Sequence, residues 1–261
     1  MFRLTREITS IHPDTIFSIG GYKITNTTLL SFFILILLAL FCFFAIRKYK
    51  IRPNKKQTAF EMIIEAMINL ISQITGNRKT AENIFPLIAT IFMYVAISNL
   101  IGMIPGIMSI QFNGASIFRA PTTDFNTTFG LALGCVIVLN IISISDWGFF
   151  GYIGKFLKLK EIFLGFKKSI GDGMMSIVDF FIGILDIIGE FAKVVSLSLR
   201  LFGNMYAGEV LSTLMLGAFA YFVPIAWSAM SLLSGVVQAI VFGSLVTAYY
   251  MLSIKEEEPA K

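Results

Sequence analysis

From Val210 to Ile254 the chain carries no charged side chain. A stretch that overlaps its start, from Met174 to Phe222, contains no proline and is almost as apolar. Apolar runs of this length are typical of chains that cross a lipid bilayer. The composition agrees, because only 14% of the residues are charged and the mean hydropathy is +0.79, whereas soluble domains have about 25% charged residues. The sequence therefore predicts an integral membrane protein.

Five apolar runs are predicted to form membrane helices, each crossing needing about 20 residues. Their expected bounds are 29–46, 84–104, 125–145, about 174–222 and 225–254. Residues 58–75 differ, because apolar residues recur there at helical spacing with Glu61 and Glu65 between them. This pattern is typical of an amphipathic helix at the membrane surface, although a soluble packing helix would share it. The expected fold is all-α, with one membrane domain over 1–261.

The last two predicted helices are too long to stand upright in a bilayer. At 1.5 Å per residue, the segment 174–222 would extend about 70 Å and the segment 225–254 about 45 Å. The hydrocarbon core is only about 30 Å thick. Pro224 marks the turn between the two segments. We therefore expect them to form a long tilted hairpin.

Two basic loops predict the orientation of the chain. They follow the first and third crossings, and their basic residues are Arg47, Lys48, Lys50, Arg52, Lys55 and Lys56, then Lys155, Lys158, Lys160, Lys167 and Lys168. Lys and Arg collect on the cytoplasmic side of membrane proteins, so the N-terminus is expected outside and the charged C-terminal tail inside. Because the net charge of +5 is sorted in this way, it does not indicate nucleic-acid binding.

Arg200, Asn204 and Glu209 place polar groups within the apolar runs. An Arg at the bilayer centre costs from about 2.5 to more than 10 kcal/mol, so it needs a partner, water or a function. At 100° per residue, Asn204 shares the helix face of Arg200, whereas Glu209 lies about 180° from it. Arg does not deprotonate in proteins, so Arg200 could block a proton or attract a carboxylate but could not relay a proton. This arrangement suits ion conduction.

Three further polar residues in the same helices are weaker candidates. Asp186 and Glu190 lie about 40° apart on the helix that carries Arg200. They could line an ion path, or they could only satisfy nearby cations and buried backbone. Gln238 can hydrogen-bond across to the helix of Arg200, as would a lone Gln that simply joins two helices.

No metal, disulfide or cofactor site is expected. His12 is the single histidine and lies in the polar N-terminal segment, far from other ligand types. Cys42 and Cys135 fall inside apolar runs, where we expect both thiols to be buried as small hydrophobic side chains.

The segment Ser196–Glu209, with the sequence SLSLRLFGNMYAGE, resembles the signature of subunit a of rotary F-type ATP synthases. Further resemblances lie at the end of the second crossing, at the start of the third, in the second basic loop and in the last helix. They are Ser98–Gly106, Pro121–Asn126, Gly148–Gly154, and Gln238-Ala239 with Phe242 and Tyr249-Tyr250. The resemblance covers about Leu29 to Ser253.

The resemblance implies roles for single residues of this chain. Arg200 matches the stator arginine of the family, which faces the ring of c subunits. Asn204 and Gln238 match polar residues near that arginine. Glu209 matches the position of a proton-relay group in one of two aqueous half-channels.

Other positions carry less weight or depart from the family. Asp124, Asp186, Glu190 and Ser231 are candidates for lining or supporting the half-channels. Many family members have a His or a Glu where this chain has Ser231, seven residues before Gln238. The second titratable partner of Glu209 is therefore missing here, which puts a paired His/Glu relay in doubt.

The resemblance implies a proton-translocating stator subunit that forms two half-channels against the c-ring and couples proton flow to ring rotation and ATP synthesis. The implied partners are the c-ring, the peripheral-stalk b subunits, the catalytic head and the lipid bilayer. The subunit alone would not be an enzyme and would need no cofactor. The main alternative is a sodium-translocating version. A secondary transporter or an autonomous channel would need inverted repeats or a filter-like loop, which the sequence lacks. The absence of an Arg- and Ser-rich leader favours a bacterial plasma (inner) membrane.

Overall fold

The computed structural model describes residues 13–19, 22–47, 53–102, 111–112, 115–156, 170–218 and 223–254. The helices are α1 (Asn26–Arg47), α2 (Lys55–Thr75), α3 (Arg78–Gly102), α4 (Phe125–Trp147), α5 (Phe149–Phe156), α6 (Ile170–Ala218) and α7 (Val223–Ser253). The strands are β1 (Thr15–Ile19), β2 (Tyr22–Thr25), β3 (Gln111–Phe112) and β4 (Ala115–Ser116), and a 3-10 turn spans Pro121–Thr123.

Four helices in the described part of the chain are long and apolar enough to cross a membrane. These are α1 over Asn26–Phe44, α3, α4, and α7 over Ala226–Ser253. The longest helix, α6, has 49 residues and is not one of these four. The chain is therefore a mostly helical, multi-pass membrane protein.

The structure departs from the sequence prediction in three places. Two antiparallel hairpins, β1–β2 and β3–β4, were missed. The β1 and β2 sequences, TIFSI and YKIT, are rich in β-branched and aromatic residues, which favour an extended chain. Helix α5 lies in a segment expected to belong to the second basic loop. Finally, Cys135 is buried but Cys42 is exposed on α1, so the expectation of two buried thiols was wrong for Cys42.

Several expectations concern residues outside the described ranges. They are the metal assessment of His12, most residues of the two basic loops, and the charged tail 255–261.

Helix α1 buries only a narrow stripe of its apolar surface. The buried residues are Leu30, Ile34 and Leu38, which recur at every fourth position and so share one face. The hydroxyls of Ser31 and Tyr94 form a hydrogen bond that joins α1 to α3. Most of the other apolar side chains described on α1, such as Phe32, are exposed, as expected of a helix in contact with lipid.

Helices α2 and α3 meet at a tight corner. Gly76 ends α2 with a φ of 69°, in the left-handed region that glycine adopts without strain. The Arg78 guanidinium donates to both carboxylate oxygens of Glu65 at 2.9 and 3.0 Å, and to Glu82 at 2.9 Å. The hydrogen bonds from Arg78 hold the pKa of Glu65 below its usual value. These contacts connect the amphipathic helix to the first turn of α3.

The described residues form two compact units. The first comprises those within Met1–Thr128 and Leu199–Thr247, and the second those within Phe129–Ser198 and Ala248–Lys261. In the second unit, the Ser143 hydroxyl and the Trp147 indole both donate to the Ser253 carbonyl, at 2.7 and 3.3 Å. These bonds join the C-terminal ends of α4 and α7.

Gly183 lies where α5 meets α6 in the second unit. A β-carbon at this position would overlap the backbone carbonyl of Phe156, so any side chain must push the two backbones apart. We expect Gly183→Ala to destabilise the protein by about 1–3 kcal/mol, as overpacking usually does, measured as a lower Tm in detergent. Gly189→Ala is the matched control, because nothing lies within 4 Å of its β-carbon. Equal Tm values for the two variants would contradict this prediction.

Candidate ion-translocation site

One side of α6 presents Arg200 on an open surface. Arg200, Gly203, Asn204 and Ala207 are all exposed, and their spacing of three to four residues places them on one face of the helix. We call these four residues the Arg200 face. Leu201 and Met205, on the other side of the helix, are buried. Because three of the four residues are small or short, another helix can approach this cation closely.

Asn204 connects the Arg200 face to α7. Its side-chain amide donates to the Ser234 hydroxyl at 3.1 Å and to Gln238 Oε1 at 3.4 Å. Gln238 is buried and makes the hydrogen bond between the two helices that the sequence suggested. These polar contacts fix the position of α7 opposite Asn204, without any charged side chain on α7.

Helix α7 is held from its other side by α3. The Asn99 side-chain amide donates to the Gly235 carbonyl at 3.1 Å, and Asn99 is fully buried. Two turns further along α7, a β-carbon on Gly243 would lie 3.4 Å from Ile88 of α3. The absence of a side chain at Gly243 therefore allows the two helices to pack closely.

Glu209 lies in a different environment from Arg200. Its side chain is only 15% exposed, and its Oε2 atom lies 3.8 Å from a terminal nitrogen of Arg119, whose side chain is 7% exposed. Arg119 Nε also donates to the Thr123 hydroxyl at 3.2 Å. The segment before α4 thus supplies a buried cation for the carboxylate on α6.

Sequence reasoning missed Arg119. The residue stands just before the Pro121–Asn126 motif, in an otherwise uncharged segment from Phe112 to Thr123. An isolated Arg in such a segment needs a partner, which was the available signal. The identity of that partner could not be read from the sequence, because Glu209 is distant along the chain.

Ser231 lies on the part of α7 that passes the end of the Arg200 face. One turn before it, the Trp227 indole donates to the Gly208 carbonyl at 3.4 Å, and Ser234 contacts Asn204 on the other side. The structure therefore places the Ser231 position close to the segment of α6 that includes Glu209. A hydroxyl stands there, so α7 offers no titratable group at this point.

Asp124 is buried and is fully engaged in local structure. Its carboxylate accepts hydrogen bonds from Thr27 of α1 at 3.0 Å, from Thr127 at 3.0 Å and from the Asn126 backbone N–H at 3.1 Å. The last of these is an N-cap interaction, which satisfies a free N–H in the first turn of α4. These contacts favour a structural role for Asp124 rather than a role in lining a half-channel.

We expect Asp124→Ala to destabilise the protein by about 2 kcal/mol or more. The variant loses the N-cap of α4, worth about 1 kcal/mol, and it leaves the buried Thr27 hydroxyl without this acceptor, which costs a further 1–3 kcal/mol or so. Thermal unfolding in detergent would measure the effect. Asp124→Asn is the control, since its single amide oxygen can still accept from one side, either as the N-cap of α4 or from the Thr27 hydroxyl, and it should retain more of the stability than Ala does. An Ala variant as stable as the Asn variant would refute this assignment.

The remaining candidates lie in the second unit. Glu190 accepts a hydrogen bond from Lys193 at 2.5 Å, and the Lys193 ammonium lies 5.4 Å from the centre of the Tyr249 ring. Glu190 also lines a cavity of about 320 Å³, whose other lining residues are Asn140, Tyr152, Ile153, Phe156 and Ile187. Asp186 is exposed. In the part of the chain that the structure describes, no three metal-binding side chains come together.

Comparison with known proteins identifies the family. The family model for the ATP synthase A chain matches residues 28–251. ATP synthase subunit a of Desulforamulus reducens is 32% identical over 246 residues, which cover 90% of this chain and 82% of that protein. The Moorella thermoacetica subunit a is 31% identical over 242 residues, covering 93% and 96%. The sodium ion specific subunit a of Propionigenium modestum is 32% identical over 243 residues, covering 91% and 77%.

These matches extend over most of the chain and include the segments that frame Arg200, Asp124 and Gln238. The family expected from Ser196–Glu209 is thereby confirmed. An ion-transporting membrane component of an ATP synthase complex is consistent with the four apolar helices. The chain belongs to the ATP synthase A chain family, the a subunits of F-type ATP synthases.

Proposed function

We propose that this chain is a proton-translocating stator subunit whose Arg200 face lies against a ring of c subunits. The observation that carries the proposal is the exposure of Arg200, a permanent cation, on an open strip of a long apolar helix. In lipid such a charge would be costly, so we infer that a partner with carboxylates covers it. Glu209, by contrast, is buried beside Arg119, on an inward part of α6.

In this mechanism a proton enters one half-channel, passes Glu209 and protonates a carboxylate of a c subunit. The ring then turns through lipid with its carboxylates neutral, because a bare charge there is costly. When a carboxylate reaches Arg200, the guanidinium stabilises its charged form, and the proton leaves through the second half-channel. ATP hydrolysis would drive the same steps in reverse.

Arg200 has a second role in this mechanism. A guanidinium does not deprotonate in a protein, so protons cannot hop across it from one half-channel to the other. Every proton must therefore travel with the ring. Each charge that crosses a potential of 100 mV supplies about 2.3 kcal/mol, which rotation delivers to the catalytic head.

For the second half-channel we propose Asp186 and Glu190 as lining or supporting groups. Glu190 borders the 320 Å³ cavity, which could hold water, and Asp186 is exposed one turn earlier on α6. The hydrogen bond from Lys193 to Glu190 supports a structural contribution of Glu190 alongside this one. Asn204, Gln238 and Ser234 would keep the helices near Arg200 in register.

We further propose five crossings, with α6 and α7 forming a tilted hairpin along the ring. Support comes from length, because the 49 residues of α6 would extend about 74 Å as a helix. The basic loops support a location of the N-terminus outside and of the C-terminus in the cytoplasm. The subunit would work with the peripheral-stalk b subunits and the catalytic head in a bacterial plasma membrane.

The transported ion is the open part of this proposal. A sodium-translocating version is the second candidate, because one relative is described as sodium ion specific. ATP-driven uptake by vesicles that contain the assembled complex would separate the two. Ion uptake that a protonophore abolishes and that sodium does not affect supports a proton-translocating subunit. Ion uptake that requires sodium and continues in the presence of the protonophore identifies the sodium version. Accumulation of a solute by vesicles that contain this subunit alone would refute both versions.

A further inference from the structure

We propose that Arg119 is a positioning residue for ion transfer, whose fixed charge holds the Glu209 carboxylate in place in a chain that has no titratable partner at Ser231. This inference rests on the proposed role of Glu209 as a relay in a half-channel. Arg119 is independent of the Arg200 face, because it comes from the segment before α4 and lies beside Glu209, on a different side of α6.

Both side chains of the Arg119–Glu209 pair are largely buried. The side chains of Arg119 and Glu209 are only 7% and 15% exposed, so neither is a surface charge screened by solvent. Removing one member of a buried pair leaves the other charge uncompensated, which is strongly unfavourable. The position of the Glu209 carboxylate therefore depends on Arg119.

Anchoring is the second argument. Arg119 Nε donates to the Thr123 hydroxyl, and that hydroxyl in turn donates to the Ala120 carbonyl at 2.9 Å. The adjoining Asp124 is bound to Thr27 and to the first turn of α4. The guanidinium is thus held by a folded turn rather than by a mobile loop, and its charge stays at a fixed place.

The separation of the pair is the third argument. The distance of 3.8 Å exceeds the 2.7–2.9 Å or so of a charge-assisted hydrogen bond. Among the described residues, Glu209 Oε2 accepts no hydrogen bond. The charge of Arg119 therefore attracts and orients the carboxylate without forming a bidentate salt bridge. This oxygen stays able to take up a proton. Helix α7 has no acidic or basic side chain and therefore offers Glu209 no charged partner.

Testing this role requires Arg119→Gln and Arg119→Lys in the assembled complex in vesicles, each alone and combined with Glu209→Gln. The readouts are ATP-driven proton uptake and the amount of assembled complex. We expect Arg119→Gln to slow uptake about tenfold, within the range of couplings between contacting charged residues, and Arg119→Lys to restore at least half of the wild-type rate. In the Glu209→Gln background, Arg119→Gln should slow uptake less than about twofold further.

Each alternative outcome is informative. Unchanged uptake in Arg119→Gln, no rescue by Lys, or an undiminished tenfold effect without the Glu209 charge would overturn the inference. If Arg119→Gln fails to assemble, the double variant with Glu209→Gln should recover assembly, because it leaves no unpaired charge. Failure of the double variant to recover assembly would also overturn the inference.

Arg47→Gln, at the exposed end of α1, is the control for loss of a cation. Arg200→Ala in parallel tests the proposed function itself: normal pumping by that variant would remove the basis of both proposals, whereas lost pumping with an inert Arg119 would refute this one alone.

Discussion

Arg200→Ala is expected to abolish ATP-driven proton pumping by vesicles that contain the assembled complex. The variant removes the only charge on the Arg200 face, so nothing would draw a c-subunit carboxylate into its charged form at the right place. Because Arg200 is exposed and Ala is a strong helix former, the fold of α6 should be preserved. Pumping is measured as the quenching of a pH-sensitive dye, with the amount of assembled complex determined in the same vesicles.

The same variant separates the two roles proposed for Arg200. If the guanidinium also blocks a direct path between the half-channels, Arg200→Ala should increase the passive proton leak. Arg47→Ala provides the control, because it removes an exposed cation from the end of α1, where the guanidinium lies 4.1 Å from the centre of the Phe43 ring. Normal pumping by Arg200→Ala would refute the stator role, and lost pumping without a leak would refute the blocking role.

Glu209→Gln is expected to slow proton flux by tenfold to a hundredfold or so, toward the lower end of what a positioned proton-transfer group contributes. An amide has nearly the same shape as the carboxyl group but cannot take up and release a proton at neutral pH. The effect should be smaller than that of Arg200→Ala, since water can carry part of the transfer. Initial rates of ATP-driven uptake, normalised to the amount of complex, provide the measurement.

Glu61→Gln is the matched control for this substitution. Glu61 accepts a hydrogen bond from Gln57 on the amphipathic helix α2, and it is not one of the candidate site residues. Wild-type flux in Glu209→Gln would assign Glu209 a structural role, as a partner of Arg119 only. An equal loss in Glu61→Gln would indicate that any lost carboxylate disturbs assembly.

The membrane helices could be located from the sequence because each signal is local. Apolar runs at 29–46 and 125–145 coincide with α1 and α4 to within a few residues. Helix α3 begins earlier than expected, at Arg78 rather than at residue 84, because its first turns are polar and do not contribute to an apolar run. On α6, Arg200 is exposed and the next residue, Leu201, is buried. This difference is expected, because neighbouring residues of a helix point in directions about 100° apart.

The partners of the buried polar groups could not be found in this way. The Arg119–Glu209 pair joins two segments far apart in the chain, and the sequence contains other acids that could equally have been matched with Arg119. Asp124 illustrates an overlooked local signal. An Asp directly before an apolar helix is a typical N-cap, and this alone would have favoured the structural role that its hydrogen bonds now indicate.

The contacts of α7 with α3 have a mechanical consequence. In the proposed mechanism, the rotating ring exerts a sideways force on the helix that faces it. If that helix rotated about its own axis under this force, Arg200 would move out of position and coupling would be lost. A force on Asn204 would be transmitted by its hydrogen bond with Gln238 to α7, and from α7 to α3 by the hydrogen bond between Gly235 and Asn99. Because α7 also packs closely against Ile88 of α3 at Gly243, we expect these helices to keep Arg200 in place while the proposed ring moves.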